Sequence, residues 1–567
     1  MSWSKIGIDD LSHLSAKIKS HEKTQTHINA QLSLKLLGKQ DIRQELSSAF
    51  RLNIQKYNEQ VKENRYILSK IIDCIRFCGA FELALHGHGE TADSVNPGVF
   101  KGLINFTAEL DYALKTHLEK ATVFKGISKE IQNDILDCTL TICQIQIKTE
   151  INQADFLSII ADETTDVSNY FQMSIVFRYL LTDGSPVERF WGFFNPTGHD
   201  AKCLSECIKS ILQDVLTDKN KLITQSYDGA NVMSGHISGV QTFIKSKYPN
   251  AHYVHCYAHQ LNLIMKAASC KIYENRELLI ECMDKIETTS NQTTTINQAG
   301  ALRRMLLEST FIYWLNVFHR IMPHLDILYN QLQKRSTSPV EINNAIHNFE
   351  INIQKERDNL DNIQVDEGES VKRRRENIYL TRNIIAKEVC DTIIVSVNEL
   401  YKYKGHLIAA NLFLLNNFEN YEKNFPQLYL EQTVEAYPFI DKLELKSELQ
   451  VIYKRNDFKK ISTAVHLLKF IIENQLLDTF SETSKLLKIV ITIPMTSAEA
   501  ERSFSTLKRI KTFLRSTMSE DRLSALSMLS IEKLMIKNIP DFNENVIDMF
   551  AKKKERRIKL IYKNVSD

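Results

Sequence analysis

Two aspartates, each closing an apolar run, are the residues best placed to do chemistry. "FLSIIAD" ends at Asp162, with Glu163 and Asp166 close behind, and "KLITQSYD" ends at Asp228. Clustered carboxylates repel one another when all are ionised. Acids at the end of a buried strand are therefore either solvated turn residues or ligands of a hard divalent cation. In an α/β sheet, ligands bind outside the carboxyl ends of the strands. Two such aspartates can share a pair of Mg²⁺ ions, which clamp the attacking and leaving oxygens of an in-line phosphoryl displacement. A third carboxylate comes late, in "PMTSAEAERSFSTLKRIKTFLRS". Thr496 and Glu499 have capping-box spacing, which gives Glu499 a structural role and leaves Glu501 without one. Lys508 and Arg515 follow Glu501 at seven-residue steps, with Arg509 and Lys511 between them. That run suits a passing phosphate backbone. It is equally the solvated side of an amphipathic helix.

The elements around these residues form a pattern. Residues 30–150 have helical periodicity, clearest in "YILSKIIDCIRF", where Ile67, Leu68, Ile71, Ile72 and Ile75 make one stripe. A glycine-rich loop at 85–98 holds His86 and His88, which read as loop residues. From 156 the order is a strand, a hairpin through Asp183-Gly184, a helix, a strand ending at Asp228, a helix, and a strand leading into a helix. That is an α/β layered domain. Helical periodicity returns from about 270, with "DEGESVKRRRE" (366–376) as its clearest loop. In "SEDRLSALSMLSIEK" a Ser519 cap and first-turn acids come before Leu523, Leu526 and Leu529, a stripe expected to bury against that helical segment or a second chain. The charge balance is +2, so nucleic-acid binding requires local basic patches. Ten cysteines without a C-x-x-C pair read as reduced intracellular thiols. No apolar run is long enough to span a bilayer.

"IIADETTDVS", "SYDGANVMSG", "HCYAHQLNL" and "TSAEAERSFSTLKRIKTFLRSTMSEDRLSALSMLSIE", in that order, resemble the hAT superfamily of DNA transposases. Within it they resemble the zinc finger MYM-type protein 1-like group of transposon-derived proteins. The resemblance implies an α-rich α+β protein in which an RNase H-like core is interrupted by a large all-helical insertion. Its divisions are a remnant of a TTF-type zinc finger (1–29), a helical N-terminal region (30–150), and the first part of the core (151–270). The helical insertion (271–485), the end of the core with the hAT C-terminal dimerisation region (486–535), and a basic tail (536–567) follow. It casts Asp162, Asp228 and Glu501 as the metal-binding catalytic triad for Mg²⁺ or Mn²⁺. His259 of the C-x-x-H motif becomes a residue on the DNA or leaving-group side, with Cys256 as packing. Lys508, Arg509, Lys511 and Arg515 become DNA contacts, helped by Lys372 to Arg375.

Two departures qualify this. His21 and His27 stand where the finger's histidine ligands would, but the first cysteine is Cys74, so a closed zinc site is not expected. The segment joining "AHQLNLIMKAAS" to the helix after it carries no tryptophan, and Trp314 in that helix reads as core. The expected protein is nuclear and not membrane-bound, with DNA, a second copy of itself and nuclear proteins as partners. Its ancestral activity is metal-dependent DNA strand cleavage and transfer, impaired here. The alternative is a non-catalytic nuclear DNA- or protein-binding dimer domesticated from a transposase. Lys372–Arg375 and Lys552–Arg557 double as candidate nuclear-localisation runs, in a solvated loop and a solvated tail.

Overall fold

The structure, a computed structural model, describes residues 11–37, 42–87, 97–227, 231–235, 237–255, 275–290, 292–334, 337–362, 372–401 and 405–564. The chain divides into two compact units, residues 1–75, 100–135 and 543–567 forming one and residues 76–99 and 136–542 the other.

One sheet organises the larger unit. β1 (Leu157–Thr165), β2 (Phe171–Leu180) and β3 (Pro186–Phe194) make an antiparallel meander, while β4 (Leu222–Tyr227) and β5 (His252–His255) add in parallel on the far side of β1. The strand order is β3-β2-β1-β4-β5. The hairpin turns at Asp183-Gly184 as expected, with Gly184 at φ 79° and Asp183 accepting the Ser185 N–H. The strands read as near-continuous apolar runs because helices cover both faces. Among the helices of the chain are α1 (Lys129–Gln153), α2 (Ala201–Val215), α3 (Val240–Lys247), α4 (Ser481–Thr492), α5 (Ala498–Ile510) and α6 (Glu520–Ile531). α2 starts where Asp200 caps it, accepting the Lys202 and Cys203 N–H groups at 3.0 Å.

The apolar run did not mark the end of β1. The strand continues through Asp162 and Glu163 to Thr165, and Asp162 is paired opposite Ser174 of β2. Two threonines favour extended backbone, and a partner strand of matching length carries the ladder past the acids.

A buried guanidinium joins the sheet to the helices. Arg178 of β2 is 2% exposed and donates to Glu188 of β3 (2.8 Å), to the Ile491 carbonyl at the end of α4 (2.9 Å) and to the Thr337 carbonyl (2.8 Å). Between β5 and α4 the described chain is helical, and its core is continuous with the sheet. Val317, Ile321, Phe349, Phe413 and Leu467 share one apolar cluster with Leu180, Ile223 and Val254, and Trp314 packs against it as core. Lys372 to Arg375 do not lie in a loop, because the helix Lys372–Tyr401 begins with them. At the start of β5 the His252 ring stacks on His406 (4.8 Å) and meets Tyr437 edge-on (5.5 Å).

The smaller unit is helical among its described residues. Arg65 of the helix Ile42–Ala80 holds Glu544 and Asp548 of the helix Phe542–Lys553 and donates to the Leu560 carbonyl. Asp134 takes Lys554 and Arg556, and Lys559 and Lys563 lie over the Tyr57 ring. The basic C-terminus is therefore docked, not a solvated tail, with Leu560 only 2% exposed.

Replacing Arg178 by Met takes from Glu188 and two buried carbonyls the guanidinium that donates to them. Breaking a buried pair from one side costs about 3–5 kcal/mol. We expect a loss of that order in denaturant unfolding, and a smaller loss in the double variant Arg178→Met/Glu188→Leu.

A second expectation concerns acid. Burial, with Lys245 nearby, pushes His252 down to about 4, and burial with His252 and Lys245 nearby pushes His406 down to about 3. An unfolded histidine titrates near 6.5. The unfolded chain thus takes up protons first, and stability present above pH 6.5 falls as the pH drops toward the folded values. Urea midpoints measured between pH 7 and 4.5 should decline, and should decline less in His406→Phe.

Candidate functional site

Strand parity places the acids. Ser158 and Thr224 share a hydrogen bond of 2.7 Å across the β1–β4 pair, so their side chains lie on one face. Successive side chains alternate between faces, and Ile160 and Asp162 fall on that same face. Ser174, opposite Asp162, shares a 2.7 Å hydrogen bond with Ser503 of α5. Asp162, 7% exposed, therefore lies on the face that α5 covers. Its Oδ1 accepts the Glu163 N–H at 2.9 Å.

Glu501 stands in the first turn of α5, its N–H bonded to the Ser497 carbonyl. The helix buries Ala500, Ser503, Phe504, Leu507 and Ile510, whereas Glu501 is half-buried and Lys508 exposed. At about 100° per residue, Glu501 and Ser503 point in different directions. The structure brings the Glu501 helix over the Asp162 strand but puts Glu501 on a side away from the Ser174 contact. Asp228, Cys256 and His259 lie outside the described residues. Among the described residues no group of three or more His, Cys, Asp or Glu is arranged to hold a metal. The buried Ser226 hydroxyl, level with Ile160 in the ladder, has no hydrogen-bond partner among them.

The expected capping box takes another form. Ser497 is the N-cap, the Ala498 N–H donates to Thr496 Oγ1 at 3.4 Å, and Glu499 ion-pairs with Arg502 at 3.0 Å. At the other end α5 stops at Ile510, which breaks the projected seven-residue line to Arg515.

The basic run is mostly engaged inside the fold. Lys511 is 3% exposed and ion-pairs with Asp166, with its ammonium 5.3 Å from the centre of the Tyr170 ring. Asp166 is not a solvated neighbour. It also accepts the Ser168 and Tyr170 N–H groups at 2.7 and 3.2 Å and the Gln172 amide at 3.4 Å. Burial alone would push its carboxyl up, but Lys511 and the two N–H groups hold it below the usual range. Arg509 pairs with Glu82, and Arg515 donates to the Glu82 carbonyl at 3.1 Å. Ser530 of α6 donates to Glu82 as well, and Arg509 first among its partners lowers the Glu82 carboxyl. Of the four cations expected to meet DNA, Lys508 faces solvent and Lys511 is withdrawn from it. Sequence reasoning missed Glu82 and the Asp166–Lys511 pair, since pairs so far apart in the chain leave no local spacing signal.

α6 has the Ser519 N-cap and the first-turn acids Glu520 and Asp521 that its sequence indicates. Its leucines do not pack on the helical segment or wait for a second chain. Leu523, Leu526 and Leu529 are 1–2% exposed within this chain, where α6 packs along β3. Ser524 accepts the Phe193 N–H at 3.0 Å and Glu532 accepts the Phe190 N–H at 2.8 Å. These bonds cover the open edge of the sheet.

Comparison with known proteins agrees with this arrangement. Residues 3–239 match the family described as "ZMYM1/FAM200, RNase-like domain", and residues 448–535 match the hAT family C-terminal dimerisation region. Among curated proteins, the chain is 25% identical over 257 residues to "52 kDa repressor of the inhibitor of the protein kinase" of Mus musculus, covering 43% of this chain and 32% of that protein. The protein of the same name in Homo sapiens is 25% identical over 215 residues, 36% of this chain and 27% of its own length. The chain thus spans about a third of the length of these relatives. The two matches give the chain an RNase-like domain of the ZMYM1/FAM200 kind and a hAT C-terminal dimerisation region, in keeping with a hAT-derived protein. Asp166–Lys511, Glu82–Arg509 and Ser174–Ser503 each join one matched region to the other.

Lys511→Met tests the first of these joints. Asp166 would keep its burial and lose its cation, at a cost of about 3–5 kcal/mol near neutral pH. A carboxyl held below its ordinary pKa contributes stability above about pH 4 that fades as pH falls through the lowered value. The deficit of the variant, read from urea unfolding, should therefore be largest at pH 7 and narrow toward pH 3.

Proposed function

We propose that this hAT-derived chain keeps the divalent-metal site of an RNase H-like nuclease but cuts DNA little or not at all. The observation that carries the reading is the parallel β1–β4 pair, with Asp162 on the face under the Glu501 helix. β1 leads on to β2 on one side and β4 to β5 on the other, and the crevice at the carboxyl ends of two strands whose order parts in this way is where α/β sheets bind ligands. The ladder reaches Ile160↔Ser226. Asp162 and Asp228 each follow that last pair by two residues in the sequence. The donor set fits Mg²⁺ or Mn²⁺, because carboxylate and hydroxyl oxygens suit hard cations, and the unpartnered Ser226 hydroxyl lies on that face. Asp162, Asp228 and Glu501 would hold the ions, with His259 beside the leaving group. Bound there, the ions would supply Lewis acidity for displacement at phosphorus. The helices between β5 and α4 would be the insertion that separates Asp228 from Glu501 in sequence.

Weak cleavage follows from what surrounds the acids. In-line attack needs the phosphate held in place, and a misplacement of about 1 Å costs on the order of a hundredfold in rate. Lys508 faces solvent, but Lys511 is buried and Arg509 and Arg515 are tied to Glu82. DNA affinity should therefore be modest, with a shallow salt slope. That engagement also favours a second reading, a nuclear binding protein without catalysis. The curated relatives' description as a repressor points the same way.

Mn²⁺ titration followed by electron paramagnetic resonance, run beside a plasmid-cleavage assay, separates these readings. We expect Mn²⁺ bound by the wild type and lost in Asp228→Asn, with cleavage near background in both. Strong cleavage abolished by Asp228→Asn would overturn the impaired-enzyme reading. No Mn²⁺ binding in the wild type would remove the metal site and leave the binding protein.

A further inference from the structure

The region matched to dimerisation presents a paradox, since its most apolar helix is already committed. Leu523, Leu526 and Leu529 are enclosed within this chain, and Leu529 lies so close to Gly79 that a side chain there would collide with it. A second copy has to use what this region leaves outside. Phe513, in the turn after α5, is 85% exposed, the most exposed large apolar residue described between 448 and 535. It follows Lys511 by two residues. Across the Asp166–Lys511 pair, Val167 is 48% and Tyr170 59% exposed, and Ser168 donates to the Ser516 carbonyl at 3.3 Å. The two loops thus lie side by side, pinned by an ion pair, with Phe513 exposed on one and Val167 and Tyr170 exposed on the other. Beside them runs a groove lined by Gln172, Asn195, Thr517 and Met518.

We infer that this patch, and not the leucine stripe, is the surface on which a second copy of the chain docks, with Phe513 of each copy seated in the groove of the other. The inference rests on the reading that residues 448–535 mediate self-association. A two-fold interface presents the same patch twice, so a projecting ring and a groove beside it form a self-complementary pair. An aromatic anchor within a polar rim is the usual centre of such an interface. A dimer of ordinary size covers about 800 Å² on each partner, which Phe513, Val167, Tyr170 and the groove walls would occupy at its middle. The patch is firm because Asp166 and Lys511 beneath it are buried and paired. The β1–β2 turn belongs to the carboxyl end of β1, so the docking surface and the acidic site share one end of the sheet.

The test uses the full chain in sedimentation equilibrium over a range of concentrations, comparing wild type with Phe513→Asp, Val167→Asp and, as controls, Leu534→Ser and Leu477→Ser. Leu534 and Leu477 are exposed apolar residues of the same matched region. The proposal expects a wild-type dimer, association at least tenfold weaker in Phe513→Asp and Val167→Asp with unchanged circular dichroism and melting, and controls that behave as wild type. A Phe513→Asp dimer of wild-type affinity, or dissociation in a control alone, would overturn the assigned surface and leave self-association standing. A wild type that is monomeric at every concentration would overturn both.

Discussion

The guanidinium of Arg178 is the contact on which the larger unit most depends. Enclosed among strands and helices, it satisfies a carboxylate on the neighbouring strand and two backbone carbonyls from segments far along the chain. Each of those groups would otherwise lose a donor inside a low-dielectric interior, which is expensive. The planar fork of arginine can serve several acceptors at once, and a lysine ammonium could not do so in the same geometry. Because Ile491 closes α4, the contact fixes where that helix ends. The next helix, α5, starts seven residues later and lies over Asp162. The placement of the acidic face therefore begins with a residue that has no chemical role.

Polar contacts of this kind explain how parts of two matched regions, separated by a long helical segment, come together in the larger unit. Apolar burial brings α5 and α6 onto the sheet but tolerates sliding, since hydrophobic attraction is non-directional. Asp166–Lys511, Ser174–Ser503 and the Glu82 cluster remove that freedom, each being satisfied in a single register. Glu82 also has a left-handed backbone (φ 59°), a conformation uncommon for a non-glycine residue. Its carboxylate meets Arg509 and Ser530 while its carbonyl meets Arg515. The consequence for nucleic acid is direct, because cations that orient α5 are not free to release counterions from a phosphate backbone.

Local pattern made part of this legible. The hairpin through Asp183-Gly184, the Ser519 start of α6 and the run "AKCLSECIKSILQDVL" as a helix all rest on signals within a few residues, and the structure has them. Misreadings arose where distant partners decide. β1 outlasts its apolar run because β2 pairs with it through Thr165↔Phe171. Lys511 looks like one more cation on a basic helix until Asp166, from another part of the chain, buries it. The leucine stripe was recognisable as a buried face, but periodicity says that a face is covered and not by what. Of the residues that the resemblance casts in the site, Asp162 and Glu501 are placed relative to sheet and helix, while Asp228 and His259 fall outside the described residues.

The edge of β3 ties these points to self-association. An open strand edge offers unpaired N–H and C=O groups to any extended chain, a standing risk of aggregation. Ser524 of α6 and Glu532 just after it take up two of those N–H groups, and α6 packs along the strand. A region named for dimerisation thus has a prior duty within its own chain. Deleting it would not yield a clean monomer, since the sheet would lose its cover and expose apolar surface together with a free edge. Loss of assembly after such a truncation would therefore say nothing about which surface two copies share. Only residues already outside the fold, such as Phe513, can be altered without first undoing the sheet that holds Asp162.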